Sequence, residues 1–144
     1  MFSRISLIAL LCAVCISLFP VAASAETQDL ITVDATIRVL ENEKAFIDGY
    51  WEVTGLISEI VNLSADETGL SADQRAALAH LKKNAKQIRL DVFCSSEKQE
   101  IIHRTFLTVG HPKPDTFKVK INVEKRTNGA VSRYLISVVD HDLK

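Results

Sequence analysis

The chain has 144 residues, 47% hydrophobic and 24% charged, with 17 basic against 18 acidic side chains. That balance excludes a charge excess of the kind that draws nucleic acid or an anionic membrane surface, and five glycines leave little room for a phosphate-cradling loop. Three cysteines, two of them in the first 15 residues, exclude a disulfide-built domain.

Residues 1–25 carry Arg4, an uncharged apolar run to Phe19, Pro20 and then Ala23-Ser24-Ala25. The small-x-small ending and a run shorter than the about 20 residues of a membrane span read as a cleaved signal peptide rather than an anchor. The expectation is an exported protein, periplasmic or secreted and of bacterial type, with no integral membrane segment after cleavage. Residues 26–144 then form a single α+β domain. Losing Arg4 leaves 16 basic against 18 acidic side chains, and Cys94 is the one remaining cysteine.

Residues 31–39 alternate, with Ile31, Val33, Ala35, Ile37 and Val39 against Thr32, Asp34, Thr36 and Arg38, which predicts a half-buried strand. Over residues 44–63 the alternation fails at Leu56-Ile57 and Ile60-Val61. A step of about 100° per residue gathers Phe46, Tyr50, Val53, Ile57 and Ile60 on one stripe, predicting a helix with Asn42 as its cap. Its cost is Gly49 and Gly55, each about 1 kcal/mol worse than alanine. Trp51 falls at the stripe's border. Ser71-Ala72-Asp73-Gln74 is a capping box that opens a second helix, with Leu78, Leu81 and Ala85 inward and His80 on the solvated side.

Four further strands are expected over residues 87–95, 100–109, 115–125 and 130–141, separated by polar or proline-rich turns. Asn128-Gly129 signals a two-residue hairpin. With those two residues as the loop, Val123 meets Tyr134, Ile121 meets Ile136, Val119 meets Val138 and Glu124 meets Arg133. Cys94 joins the buried face as a small hydrophobe.

The predicted fold is α+β: two helices on one face of a mainly antiparallel sheet of about five strands, in the order β-α-α-β-β-β-β. The layout resembles cystatin-like and nuclear-transport-factor-2-like folds. The cystatin pattern Q-x-V-x-G is absent, so the resemblance implies layout alone.

If the helices cover one sheet face, Phe93, Ile102, Phe106, Leu135 and Val139 point outward among Arg89, Arg104, Lys118 and Lys120. Such an apolar-basic mixture suits a protein interface. Residues 134–139, free of proline and charge, are a second contact if they form an edge. His103 and His111, about 26 Å apart if extended, share no ion, and no metal-ligand spacing, nucleophile elbow or cofactor motif occurs. Asp140-His141-Asp142 reads as a solvated tail. The leading expectation is a non-catalytic protein-binding or envelope-assembly module, without cofactor or metal, able to form a homodimer. The alternative is a small apolar-ligand protein, extending to an enzyme, with Trp51, His103 and Tyr134 about its pocket.

Overall fold

The computed structural model describes residues 25–144; residues 1–24 of the expected leader lie outside the described residues. The elements are β1 (Glu26–Ile47), β2 (Tyr50–Ser64), α1 (Ala72–Lys83), β3 (Ile88–Val92), α2 (Ser96–Leu107), β4 (Phe117–Asn128) and β5 (Val131–His141). The α+β class, the number of helices and the mainly antiparallel five-stranded sheet agree with expectation. The order, β-β-α-β-α-β-β, does not.

The expected helix over residues 44–63 is a hairpin. Asp48 and Gly49 both have positive φ, 51° and 89°, the conformation that a two-residue type I′ turn requires and that Asp-Gly adopts readily. The strand's broken alternation comes from bulges. Between β1 and β2 the register slips at Thr36/Ile37, Val39/Glu41 and Glu43/Lys44, so Val61, Leu40 and Thr54 are extra residues without a partner. Each bulge resets parity and bends its strand. That is how Val53, Leu56, Ser58 and Ile60 all come to be buried at irregular spacing.

The bends let β1 serve two neighbours, β4 along residues 26–37 and β2 along residues 34–47. The sheet closes in the order β1-β2-β3-β5-β4, with β3 and β5 as a short parallel pair through Asp91↔Ser137 and Val92↔Val138. This strand order, with a helix between the third and fourth strands, is that of the OB barrel, here with an added helix between β2 and β3. It replaces the open sheet expected from the sequence. Residues 134–139 lie between β3 and β4 rather than at an edge.

Of residues 100–109, expected as a strand, residues 100–107 belong to α2 and Thr108 caps it. Ile102 and Phe106, four apart, fall on one helical stripe and are buried, with the Phe106 ring 6.1 Å from Phe117. Each helix seals one end of the barrel instead of sharing a face. α1 starts at the expected capping box, Gln74 N–H donating to Ser71 Oγ (3.2 Å) and Ser71 N–H to Gln74 Oε1 (2.9 Å). It meets β1 where Gln74 Nε2 donates to the Leu30 carbonyl (2.9 Å), and β5 where His80 lies 4.8 Å from the Tyr134 ring. His80 is therefore half-buried rather than solvated. α2 sits at the other end, where Gln99 Nε2 donates to the Val53 carbonyl.

The last hairpin turns one residue later than expected, with Gly129-Ala130 as its loop and Asn128 facing Val131. Gly129 has φ of 62°, as the first central residue of a type II′ turn requires. Partners therefore shift by two: Val123 faces Ile136, Ile121 faces Val138, and Glu124 faces Leu135 rather than Arg133. A shift of two preserves parity, so Val119, Ile121, Val123, Ile136 and Val138 are buried together as expected.

Candidate functional site

β4 stops facing β1 at Ile37, and β3 stops facing β2 at Gly55. Beyond those points β1 and β2 continue as a two-stranded arm, whose last cross-strand pairs are Phe46↔Trp51 and Ile47↔Tyr50. Successive pairs point to opposite faces of a ribbon. Phe46 and Trp51 thus occupy one face of the tip and Ile47 and Tyr50 the other, 62%, 56%, 40% and 74% exposed. Phe46 and Trp51 meet edge to face at 5.4 Å, and Lys44 Nζ stands 5.3 Å from the Trp51 ring centroid, a favourable cation–π distance. Around them Glu41, Asp48 and Glu52 have no ion-pair partner among the described residues. The arm is therefore apolar on both faces of its tip and acidic along its length.

The arm's root is braced across β2. Arg89 of β3 reaches over Gly55 to Glu43 of β1 (2.7 Å) and also pairs with Asp91. A Cβ at Gly55 would lie 2.9 Å from both the Arg89 guanidinium and the Glu43 carboxylate. The missing side chain gives the guanidinium its path. Arg38 makes a second tie, to Glu59 (2.7 Å) and Asp115 (3.2 Å). With Glu43, Glu59 and Asp91 facing Arg38 and Arg89, the outer surface of β2 and β3 is balanced to acidic, poorly suited to a polyanion.

The expected apolar-basic face is not assembled as drawn. Ile102 and Phe106 are core residues because their segment is helical. Arg104 is exposed on α2, Phe93 is exposed just past β3, Lys118 and Lys120 are exposed on β4, and Leu135 and Val139 are half-buried on β5. Lys120 is paired with Asp34 (3.1 Å). The alternative pocket is also dispersed: Trp51 is in the arm, His103 on α2 beside Gln99 (3.1 Å), and Tyr134 under α1. The barrel interior between them is filled with aliphatic side chains.

A groove of about 460 Å³ lies elsewhere, lined by Asp34, Asn62, Lys118, Lys120, Asp140 and Asp142 among others. Its charges are largely committed, Asp140 to Lys98 (3.4 Å) and Asp142 to the Lys118 N–H (2.9 Å). Nor is Asp140-His141-Asp142 a loose tail. His141 is buried; its Nδ1 accepts from Leu143 N–H (3.1 Å), which leaves Nε2–H to donate to the Lys98 carbonyl (2.7 Å). Lys98 Nζ returns a bond to the His141 carbonyl (2.6 Å), so this histidine staples β5 to α2. Cys94 Sγ lies against the Val138 carbonyl (3.4 Å), and burial pushes its thiol up to about 11, which suppresses the thiolate. Among the described residues no cluster of three or more His, Cys, Asp or Glu could hold a metal ion, and no helix is long and apolar enough to cross a membrane.

No family model, curated protein or solved structure matches this chain significantly.

Proposed function

We propose that the protein is an exported, non-catalytic binding module that engages another protein through the tip of the β1–β2 arm. The observation that carries this reading is the exposure of Phe46, Ile47, Tyr50 and Trp51 on a ribbon that outruns its neighbours. Aromatic side chains bring large contact area at low entropic cost and are enriched at interface centres. The unpaired Glu41, Asp48 and Glu52 add a requirement. The partner presents an apolar cleft with a cationic flank, because carboxylates along the ribbon that carries an apolar anchor favour the opposite charge and repel their own.

Trp51 is the only tryptophan in the chain, so its emission reports on the tip directly. On complex formation the expected result is a blue shift and protection from an aqueous quencher. Tyr50→Ala/Trp51→Ala is expected to lose the partner retained by the native protein from its envelope fraction, while Phe93→Ala keeps it. Equal retention by native protein and the arm variant would overturn the reading.

A further inference from the structure

The opposite hairpin carries a surface that complements the arm. Arg126 and Arg133 are directly opposed on β4 and β5, and both are exposed. Neither has an ion-pair partner among the described residues. Like charges directly opposite destabilise a strand pair, so two guanidiniums in this register await an anion from outside the barrel. The carboxylate that Arg126 influences, Glu124, is already engaged by Asn122 (3.3 Å) and held against Asp29. Val131, at the turn, is 69% exposed. This end is thus cationic with an apolar tip, where the arm is acidic with an aromatic tip.

We propose that the two ends bind each other between copies: the arm of one molecule docks on the β4–β5 hairpin of the next. Arg126 and Arg133 meet the carboxylates of the arm and the faces of its aromatic rings, a pairing that a planar guanidinium makes in both ways at once. The inference rests on the arm being a contact surface and names its partner as a second copy of this chain. Because the two surfaces differ, the contact is heterologous. It repeats head to tail, closing into a ring or running on as an open chain.

Sedimentation of the purified protein across micromolar to millimolar concentrations tests this. Mass is expected to rise with concentration, and the association to weaken by about tenfold or more between about 0.05 and 0.5 M salt. Two charge reversals then separate the ends. Glu41→Lys/Glu52→Lys alone and Arg126→Glu/Arg133→Glu alone are expected to stay monomeric, each with ends of like charge, whereas an equimolar mixture associates again. Arg126→Gln/Arg133→Gln, which leaves the hairpin neutral, is expected to weaken association without rescuing the arm-reversed variant. Circular dichroism confirms that each variant is folded. A native protein that remains monomeric at millimolar concentration in low salt overturns the proposal, as does a mixture of folded reversal variants that fails to associate. If that monomer still retains a foreign protein that Tyr50→Ala/Trp51→Ala loses, self-association falls while the arm stands as a contact surface.

Discussion

The two hairpins use the same local device and meet opposite fates. β4–β5 turns at Gly129-Ala130 and β1–β2 at Asp48-Gly49, each a two-residue loop with positive φ. Around the first, β1 lies beside β4 and the Gln74–Leu30 and His80–Tyr134 contacts bring α1 over that end of the barrel. β4 accordingly buries alternate residues from Phe117 to Val123, and β5 buries Ile136, Ser137 and Val138 against them. The second outruns β4 and β3, and the same alternation carries Phe46 and Trp51 to one exposed face and Ile47 and Tyr50 to the other. Hydrophobicity sets which residues can be buried; strand length relative to the neighbours decides which of them are.

The largest contrast is between core and arm. Ile121, fully buried on β4, leaves a cavity when shortened, and Ile121→Ala is expected to lower unfolding free energy by about 3 kcal/mol. Trp51→Ala, despite the larger side chain, is expected to change it by less than about 0.5 kcal/mol. Urea unfolding followed by circular dichroism reads both. Similar losses would mean that the arm is an integral part of the barrel.

The turns give a smaller contrast. A left-handed conformation costs a non-glycine residue about 1–2 kcal/mol, so Gly129→Ala is expected to lower global stability by about that amount. Gly49→Ala carries the same local strain. An isolated ribbon is marginal and opens before the barrel does, so its penalty should emerge chiefly as faster hydrogen exchange of arm amides, with a smaller change in the global midpoint. Equal midpoint shifts would join the two hairpins into one cooperative unit. Smaller still, Arg133→Glu replaces a like-charge pair with an opposite-charge one facing Arg126 and is expected to stabilise the β4–β5 hairpin by about 0.2–1 kcal/mol.

The same contrast explains what the residues alone disclosed. Val119, Ile121, Val123, Ile136 and Val138 keep an unbroken period of two, and their shared face was legible even with the turn placed one residue early. Ser71 and Gln74 marked the start of α1 because a capping box is local chemistry. In residues 44–63 the bulges at Thr54 and Val61 break the period and imitate helical spacing; Asp48-Gly49 was the signal that separates the readings. Residues 100–109 are too short for β-branched content to outweigh pattern, and the four-residue spacings Ile102–Phe106 and Glu100–Arg104 are the helical clue. The aromatics of the arm are visible in the sequence. Their exposure is not, since it depends on where β3 and β4 end, and the Arg126–Arg133 opposition depends on a single residue of turn placement.

The weakest expected effect is a pH dependence confined to the well-paired part of the barrel. Asp29 and Glu124 are directly opposed on β1 and β4. Partial desolvation first, then the hydrogen bond and charge of Asp29, raise Glu124 above its ordinary value of 4.5. The folded state therefore holds this proton more tightly than the unfolded chain does. Its contribution to stability is fully present below 4.5 and is lost as pH rises through the raised folded value. Asp140 behaves oppositely: the His141 N–H holds it below 3.8, so its contribution is present above that value and lost as pH falls through the lowered one. Glu124→Gln should consequently gain stability relative to the native protein between pH 4.5 and neutrality, and urea midpoints measured across that range read the difference. A gap between variant and native protein that stays constant with pH would show that the Asp29–Glu124 opposition is relaxed in solution. The β1–β4 register that places these carboxylates face to face would then need revision.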